Sequence, residues 1–145
     1  MTRIKILLAD DDFEDRYIIA DAFTEIGYND AVHMVTNGEE VFAYLQAIND
    51  PADLPSLIVL DLNMPRMTGT EILANLKSND LYRSIRVIIF STSVNEKEKK
   101  QCMALGALAY ITKPVKYQDS LVIARQFQEY SAMEKDNGLS LSSDV

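Results

Sequence analysis

The sequence predicts an α/β fold: a doubly wound, five-stranded parallel sheet with helices on both faces. Two observations carry this. Apolar segments of strand length alternate five times with longer segments of helical periodicity. Three of the strand segments, ILLA (6–9), LIVLDL (57–62) and RVIIFS (86–91), are apolar nearly throughout, as strands covered on both faces must be.

Each element follows in order. RIKILLA (3–9) is the first strand. After Asp12, FEDRYIIADAFTEIG reads as a helix with Tyr17, Ile18, Ala22 and Ile26 at helical spacing. Asp12 stands at its N-cap, with Asp15 three residues on, and Gly27 stops it. AVHMVT (31–36) is a short strand closed by Asn37-Gly38, and EEVFAYLQAI (39–48) a helix with Val41, Leu45 and Ile48 on one side. Pro51 and Pro55 mark a loop. LIVLDL runs into the turn MPRMTG, and a helix extends from about Thr70 to Leu76. RVIIFS is followed by a polar-faced helix, NEKEKKQCMALG (95–106), ended by Gly106. ALAYIT (107–112) is the last strand and Lys113-Pro114 ends it. YQDSLVIARQFQEYSAM (117–133) is the final helix; its stripe of Ile123, Phe127 and Tyr130, widened by Leu121 and Val122, suits core packing or a dimer face equally. The remainder loses apolar periodicity, so residues 1–133 are expected to form the domain and 134–145 a disordered tail.

Composition narrows the function. A chain of 145 residues, 48% hydrophobic, fills one core. Twenty-two acidic against 14 basic residues, net −8, argue against nucleic acid as a direct partner, because phosphate neutralisation needs clustered cations. One Cys and one His argue against a disulfide framework and a structural zinc site. His33 lies on a strand and reads as a packed residue. No segment has the length of a membrane span or the character of a signal peptide, so a cytoplasmic protein without a membrane partner is expected.

Chemistry concentrates at the strand ends. The first strand ends in Asp10 and Asp11, the third in Asp61 followed by Leu62-Asn63-Met64-Pro65, the fourth in Ser91-Thr92-Ser93 and the fifth in Lys113. A parallel sheet brings all of these to one rim, where such folds bind ligands. Two like charges about 4 Å apart repel by roughly 4 kcal/mol at an effective dielectric near 20. Three ionised carboxylates therefore approach the stability of a whole domain, about 5–15 kcal/mol. A proton, a spreading of the acids or a bound cation must offset this. Oxygen-only ligands in small number, with open positions, suit Mg²⁺ or Mn²⁺, and DDDFEDRYIIAD lacks the turn Gly of a calcium loop. A carboxylate such as Asp61 can act as a nucleophile toward phosphorus, with the metal and Lys113 neutralising phosphoryl charge and Ser91 offering a hydrogen bond.

These residues resemble the receiver domain of two-component response regulators. The resemblance rests on Asp10-Asp11, on LIVLDLNMPRMTG around Asp61, on VIIFSTS with Ser91 and on AYITKP with Lys113, and it covers about residues 3–131. It implies a flavodoxin-like (βα)5 three-layer sandwich with strand order 2-1-3-4-5. It implies that Asp61 accepts a phosphoryl group from a sensor histidine kinase. Asp11, Asp61 and the Asn63 backbone carbonyl would ligate Mg²⁺, with Asp10 acting through a water. Lys113 takes the place of the phosphate-pairing lysine, Ser91 and Tyr110 take the places of the switch residues, and the Lys113–Pro114 peptide is often cis in such proteins. Output is expected through the surface of the fourth helix, fifth strand and fifth helix, to a downstream partner or as a homodimer. Asp12 extends the usual acidic pair and is assigned to helix capping, and Thr92 is bulkier than the small residue common there. The chain stops soon after the fifth helix and is similar to stand-alone receivers, including partners of phytochrome-type kinases. Two other functions compete. An aspartyl-phosphate phosphohydrolase of the haloacid-dehalogenase type would carry a second Asp two residues after the nucleophile, where this chain has Asn63. A non-phosphorylatable partner-binding module would not need the set Asp11, Asp61, Ser91 and Lys113.

Overall fold

The computed structural model describes residues 3–92 and 95–133, so the expected tail (134–145) and Ser93 lie outside the described residues. Five strands and five helices alternate: β1 (Ile6–Ala9), α1 (Phe13–Glu25), β2 (Val32–Val35), α2 (Gly38–Gln46), β3 (Leu57–Leu60), α3 (Gly69–Lys77), β4 (Arg86–Ser91), α4 (Glu96–Ala104), β5 (Ala109–Thr112) and α5 (Tyr117–Ala132). The strands form one parallel sheet in the order β2-β1-β3-β4-β5. The direction of winding reverses between β1 and β3, the kind of switch point beyond whose carboxyl ends such folds bind ligands.

Alternation along the strands sorts the core into two layers. Leu7, Ala9, Ile58, Leu60, Val87 and Ile89 face Val41 and Leu45 of α2, Ile72 and Leu76 of α3, and Cys102 of α4. Ile6, Leu8, Val59, Ile88 and Phe90 face Ile19 and Phe23 of α1 and Ile123 and Phe127 of α5. Rings of Phe23 and Phe127 lie 6.3 Å apart, and Phe127 meets Phe90 edge-on at 5.2 Å. Ile123 and Phe127, the centre of the α5 stripe, are thus core, whereas Val122 is exposed. His33 packs as expected, stacked 4.5 Å from Tyr44.

Helix α1 corrects the expected apolar face. Tyr17 and Ile18 are exposed, and Ile19 and Phe23 join Ala22 in the core. The run YIIADAF is apolar over so wide an arc that spacing alone leaves its inward direction open. The caps hold as expected. Asp12 accepts the Asp15 N–H at 3.0 Å, and Gly27 and Gly106 adopt the left-handed conformation (φ 74° and 110°) beyond the ends of α1 and α4. The described residues contain no cis peptide bond, so the Lys113–Pro114 peptide, for which the resemblance allowed cis, is trans.

Candidate functional site

Register brings the acids together. Ala9 pairs with Leu60, so the next residues, Asp10 and Asp61, leave adjacent strands side by side, and the Asp61 N–H donates to the Ala9 carbonyl at 3.0 Å. Asp10 and Asp61 are buried at the switch point, and Asp11 is exposed beside them. Ligand oxygens of Asp10, Asp11 and Asp61 all lie within 4.8 Å of one another. Lys113 follows β5, tied by its N–H to the Ser91 carbonyl at 2.8 Å, and its Nζ lies 5.8 Å from the Phe90 ring centroid. The ammonium donates to Asp10 Oδ2 at 2.6 Å and to Asp15 Oδ2 at 2.8 Å, and stands 3.5 Å from Asp61 Oδ2.

Hydrogen bonds to backbone and side chain position the cluster. The Asp12 N–H donates to Asp10 Oδ1 at 2.9 Å, and Arg16 Nη1 to the Asp10 carbonyl at 2.7 Å. On the β3 side, the Gly69 N–H donates to the Leu62 carbonyl at 2.9 Å. A Cβ on Gly69 would lie 2.3 Å from the Asp61 carbonyl oxygen, so only glycine admits this approach of α3 to the acid-bearing turn.

Burial sets the electrostatics. It pushes the Asp61 carboxyl up to about 6; the Asp10 charge adds to this, while Lys113 and the Asn63 N–H work against it. Burial also raises Asp10, against hydrogen bonds from Lys113 and the Asp12 N–H. For Lys113 burial favours the neutral amine, but hydrogen bonds to Asp10 and Asp15 and the charges of Asp10 and Asp61 outweigh it and hold its pKa above that of an ordinary lysine. The result is one ammonium among four carboxylates. An oxygen-only set with one solvent-facing member fits a hard divalent cation that keeps part of its water shell.

Of the residues expected at the site, Asp10, Asp11, Asp61 and Lys113 converge. Ser91 is fully buried at the end of β4, Asn63 is exposed on the β3–α3 loop, and Tyr110 is half-buried on β5 against the layer of α2, α3 and α4. Two contributors escaped the sequence reading. Asp15 was assigned only to the start of α1, yet its carboxylate binds Lys113; its place on the first helical turn after a strand-end acid pair was the available signal. Gly69 closes the motif LIVLDLNMPRMTG, but no role was assigned to it.

Residues 6–125 match the sequence model of the response regulator receiver domain. The two-component response regulator ARR15 of Arabidopsis thaliana is 34% identical over 122 residues, spanning 80% of this chain but only 58% of its own length. Response regulator Rcp1 of Synechocystis sp. is 27% identical over 127 residues, 86% of either chain. Among solved structures, the phosphorylated cyanobacterial phytochrome response regulator RcpA superposes with a TM-score of 0.78 at 31% identity, covering 93% of this chain and 98% of that one. The Mn(2+)-bound form of Rcp1 superposes with a TM-score of 0.73 at 25% identity, covering 90% and 96%. No helix among the described residues is long and apolar enough to cross a membrane.

Proposed function

The chain belongs to the response regulator receiver domain family, and from that premise we propose that it is a phospho-accepting signalling switch with Asp61 as acceptor. One observation carries the reading: carboxylate oxygens of Asp10, Asp11 and Asp61 lie within 4.8 Å of one another, with the Lys113 ammonium 3.5 Å from Asp61. The donor is the phosphohistidine of a sensor histidine kinase, and the likeness to RcpA, a phytochrome response regulator, supports a phytochrome-type kinase.

In the transfer a carboxylate oxygen of Asp61 forms the new bond to phosphorus. The bond from phosphorus to the donor imidazole nitrogen breaks, and its electron pair leaves with that nitrogen. With a pKa of about 6, Asp61 is mostly ionised at neutral pH and needs no general base. Asp11, Asp61 and the Asn63 backbone carbonyl would hold Mg²⁺, or Mn²⁺ as in the Rcp1 structure, with Asp10 acting through a water. Bound there, the ion withdraws charge from the phosphoryl oxygens. Lys113 pairs with one of those oxygens and the Ser91 hydroxyl with another. Tyr110 follows Ser91 inward, and the altered α4–β5–α5 surface passes the signal to a partner protein or a second copy of the chain. Slow hydrolysis of the acyl phosphate resets the switch, without multiple-turnover enzyme activity.

The test is Mg²⁺-dependent labelling by acetyl phosphate. Asp61→Asn abolishes it, and labelling of that variant at the wild-type rate overturns the assignment. Turnover of a generic phosphate ester by the purified protein would instead favour the phosphohydrolase.

A further inference from the structure

We propose that Asp15 is a positioning residue for phosphoryl transfer: its carboxylate engages Lys113 in the resting protein and competes with the phosphoryl group on Asp61 for the ammonium. The inference rests on Asp61 being the acceptor.

An ammonium has three N–H donors. In the resting structure two short bonds engage it, 2.6 Å to Asp10 and 2.8 Å to Asp15, while Asp61 stands 3.5 Å away. A phosphoryl group arriving on Asp61 presents several anionic oxygens, and the nearest cation has one N–H left beside its bonds to Asp10 and Asp15. A second bond from the ammonium to the phosphoryl group requires that one resting partner give way. Asp10 is poorly placed to do so. Its side chain is 2% exposed, its other oxygen holds the Asp12 N–H, and Arg16 fixes its carbonyl. The Asp15 side chain is 29% exposed and sits on the first turn of α1. It lines, with Lys113, Ile18, Pro114 and Ser120, an open cleft between α1 and the start of α5, which gives it room to swing away. Asp15 is therefore the exchangeable ligand of the lysine.

Removing its charge acts twice in the same direction. It frees a second N–H for the phosphoryl oxygens, and it removes one negative charge facing an anionic donor. Because the pair is partly exposed, the effect is modest, roughly two- to tenfold. The cap hydrogen bond is retained, since Asp15 serves it through its backbone N–H, and the loss of a first-turn charge is matched by the Glu14→Gln control.

The experiment compares wild type, Asp15→Asn, Asp15→Glu and Glu14→Gln as full chains, each checked by thermal melting. Initial labelling rates are measured at subsaturating acetyl phosphate with Mg²⁺. The Lys113 side-chain ammonium is followed separately by ¹⁵N NMR, without metal or donor. Asp15→Asn is expected to label roughly two- to tenfold faster and to shift the Lys113 signal. Asp15→Glu returns toward wild type. Glu14→Gln, which removes an exposed charge from the same helical turn, changes neither readout. A folded Asp15→Asn that labels at or below the wild-type rate overturns the inference, as does equal acceleration by Glu14→Gln. Should Asp15→Asn not fold, Asp15→Ser takes its place under the same criteria. A folded wild type that is not labelled at all overturns the Asp61 assignment and this inference with it; a labelled wild type with an indifferent Asp15→Asn overturns the inference alone.

Discussion

The two ends of the sheet treat buried polarity in opposite ways. At the carboxyl end Asp10, Asp61 and Lys113 are buried as charged or titrating groups, and acids outnumber the cation. At the amino end the buried Ser131 joins the half-buried Tyr28 and Ser56 in a neutral, mutually satisfied network, beside a half-buried Arg86 whose guanidinium donates to the Tyr130 carbonyl at 3.4 Å. Ser131 donates to the Gln128 carbonyl at 2.8 Å and shares a 2.7 Å hydrogen bond with the Tyr28 hydroxyl, and Ser56 donates to the Ser131 carbonyl at 2.6 Å. This second network ties the end of α5 to the loops before β2 and β3. Neutral groups with matched partners cost the fold little, whereas crowded carboxylates hold a repulsion that a ligand can relieve. One end is a matched neutral network, and at the other several carboxylates share one ammonium.

Three substitutions would sharpen or break this contrast. Lys113→Ala should have the largest effect on stability. It leaves Asp10 buried without its cation and should destabilise the metal-free protein by about 3 kcal/mol at pH 7, read by urea denaturation. The deficit should shrink toward pH 5 as the acids take up protons, and a variant as stable as wild type at pH 7 would show that the rim does not depend on this ammonium.

Asp61→Asn should act in the opposite direction. Burial holds the Asp61 carboxyl up to about 6 in the folded protein, against the ordinary 3.8 of an exposed aspartate, so the native state binds more protons between these pH values. Stability of the metal-free wild type should therefore fall as pH rises from about 4 to about 6, by up to about 3 kcal/mol, and level off above that. Asp61→Asn removes the Asp61 share of this fall, leaving that of the similarly raised Asp10, and is more stable than wild type at pH 7. Denaturation curves across this pH range decide it; an unchanged pH profile in the variant would mean the repulsion lies elsewhere.

Ser131→Ala should have the smallest effect, a loss of about 1–2 kcal/mol from the unpaired Tyr28 hydroxyl. Labelling of Asp61 should continue at the wild-type rate, because the change lies at the amino end. A matching loss of labelling would couple the two ends and dissolve the contrast.

Legibility in the sequence followed the same division. Strands β3 and β4 were readable because they are covered on both faces and hence apolar throughout; RVIIFS matches β4 residue for residue. Alternating strands and helices implied parallel pairing, and parallel pairing sends Asp10, Asp61 and Lys113 to one rim. The inward face of α1 was not readable. Its arc from Tyr17 to Phe23 is apolar on several sides, and only packing against the sheet and α5 selected Ile19 and Phe23. Asp15 and Gly69 were missed for a related reason: the role of each depends on how a helix end is seated against a neighbouring strand.

The sequence by itself determined the order of strands and helices and which chemical groups stand at the strand ends, because backbone periodicity and strand direction are local properties that pattern encodes. Tertiary structure alone decided that Lys113 turns first to Asp10 and Asp15, at 2.6 and 2.8 Å, and only then to Asp61 at 3.5 Å. Differences of less than 1 Å between competing carboxylates are set by how α1 and α5 pack over the sheet, and no spacing along the chain carries that information.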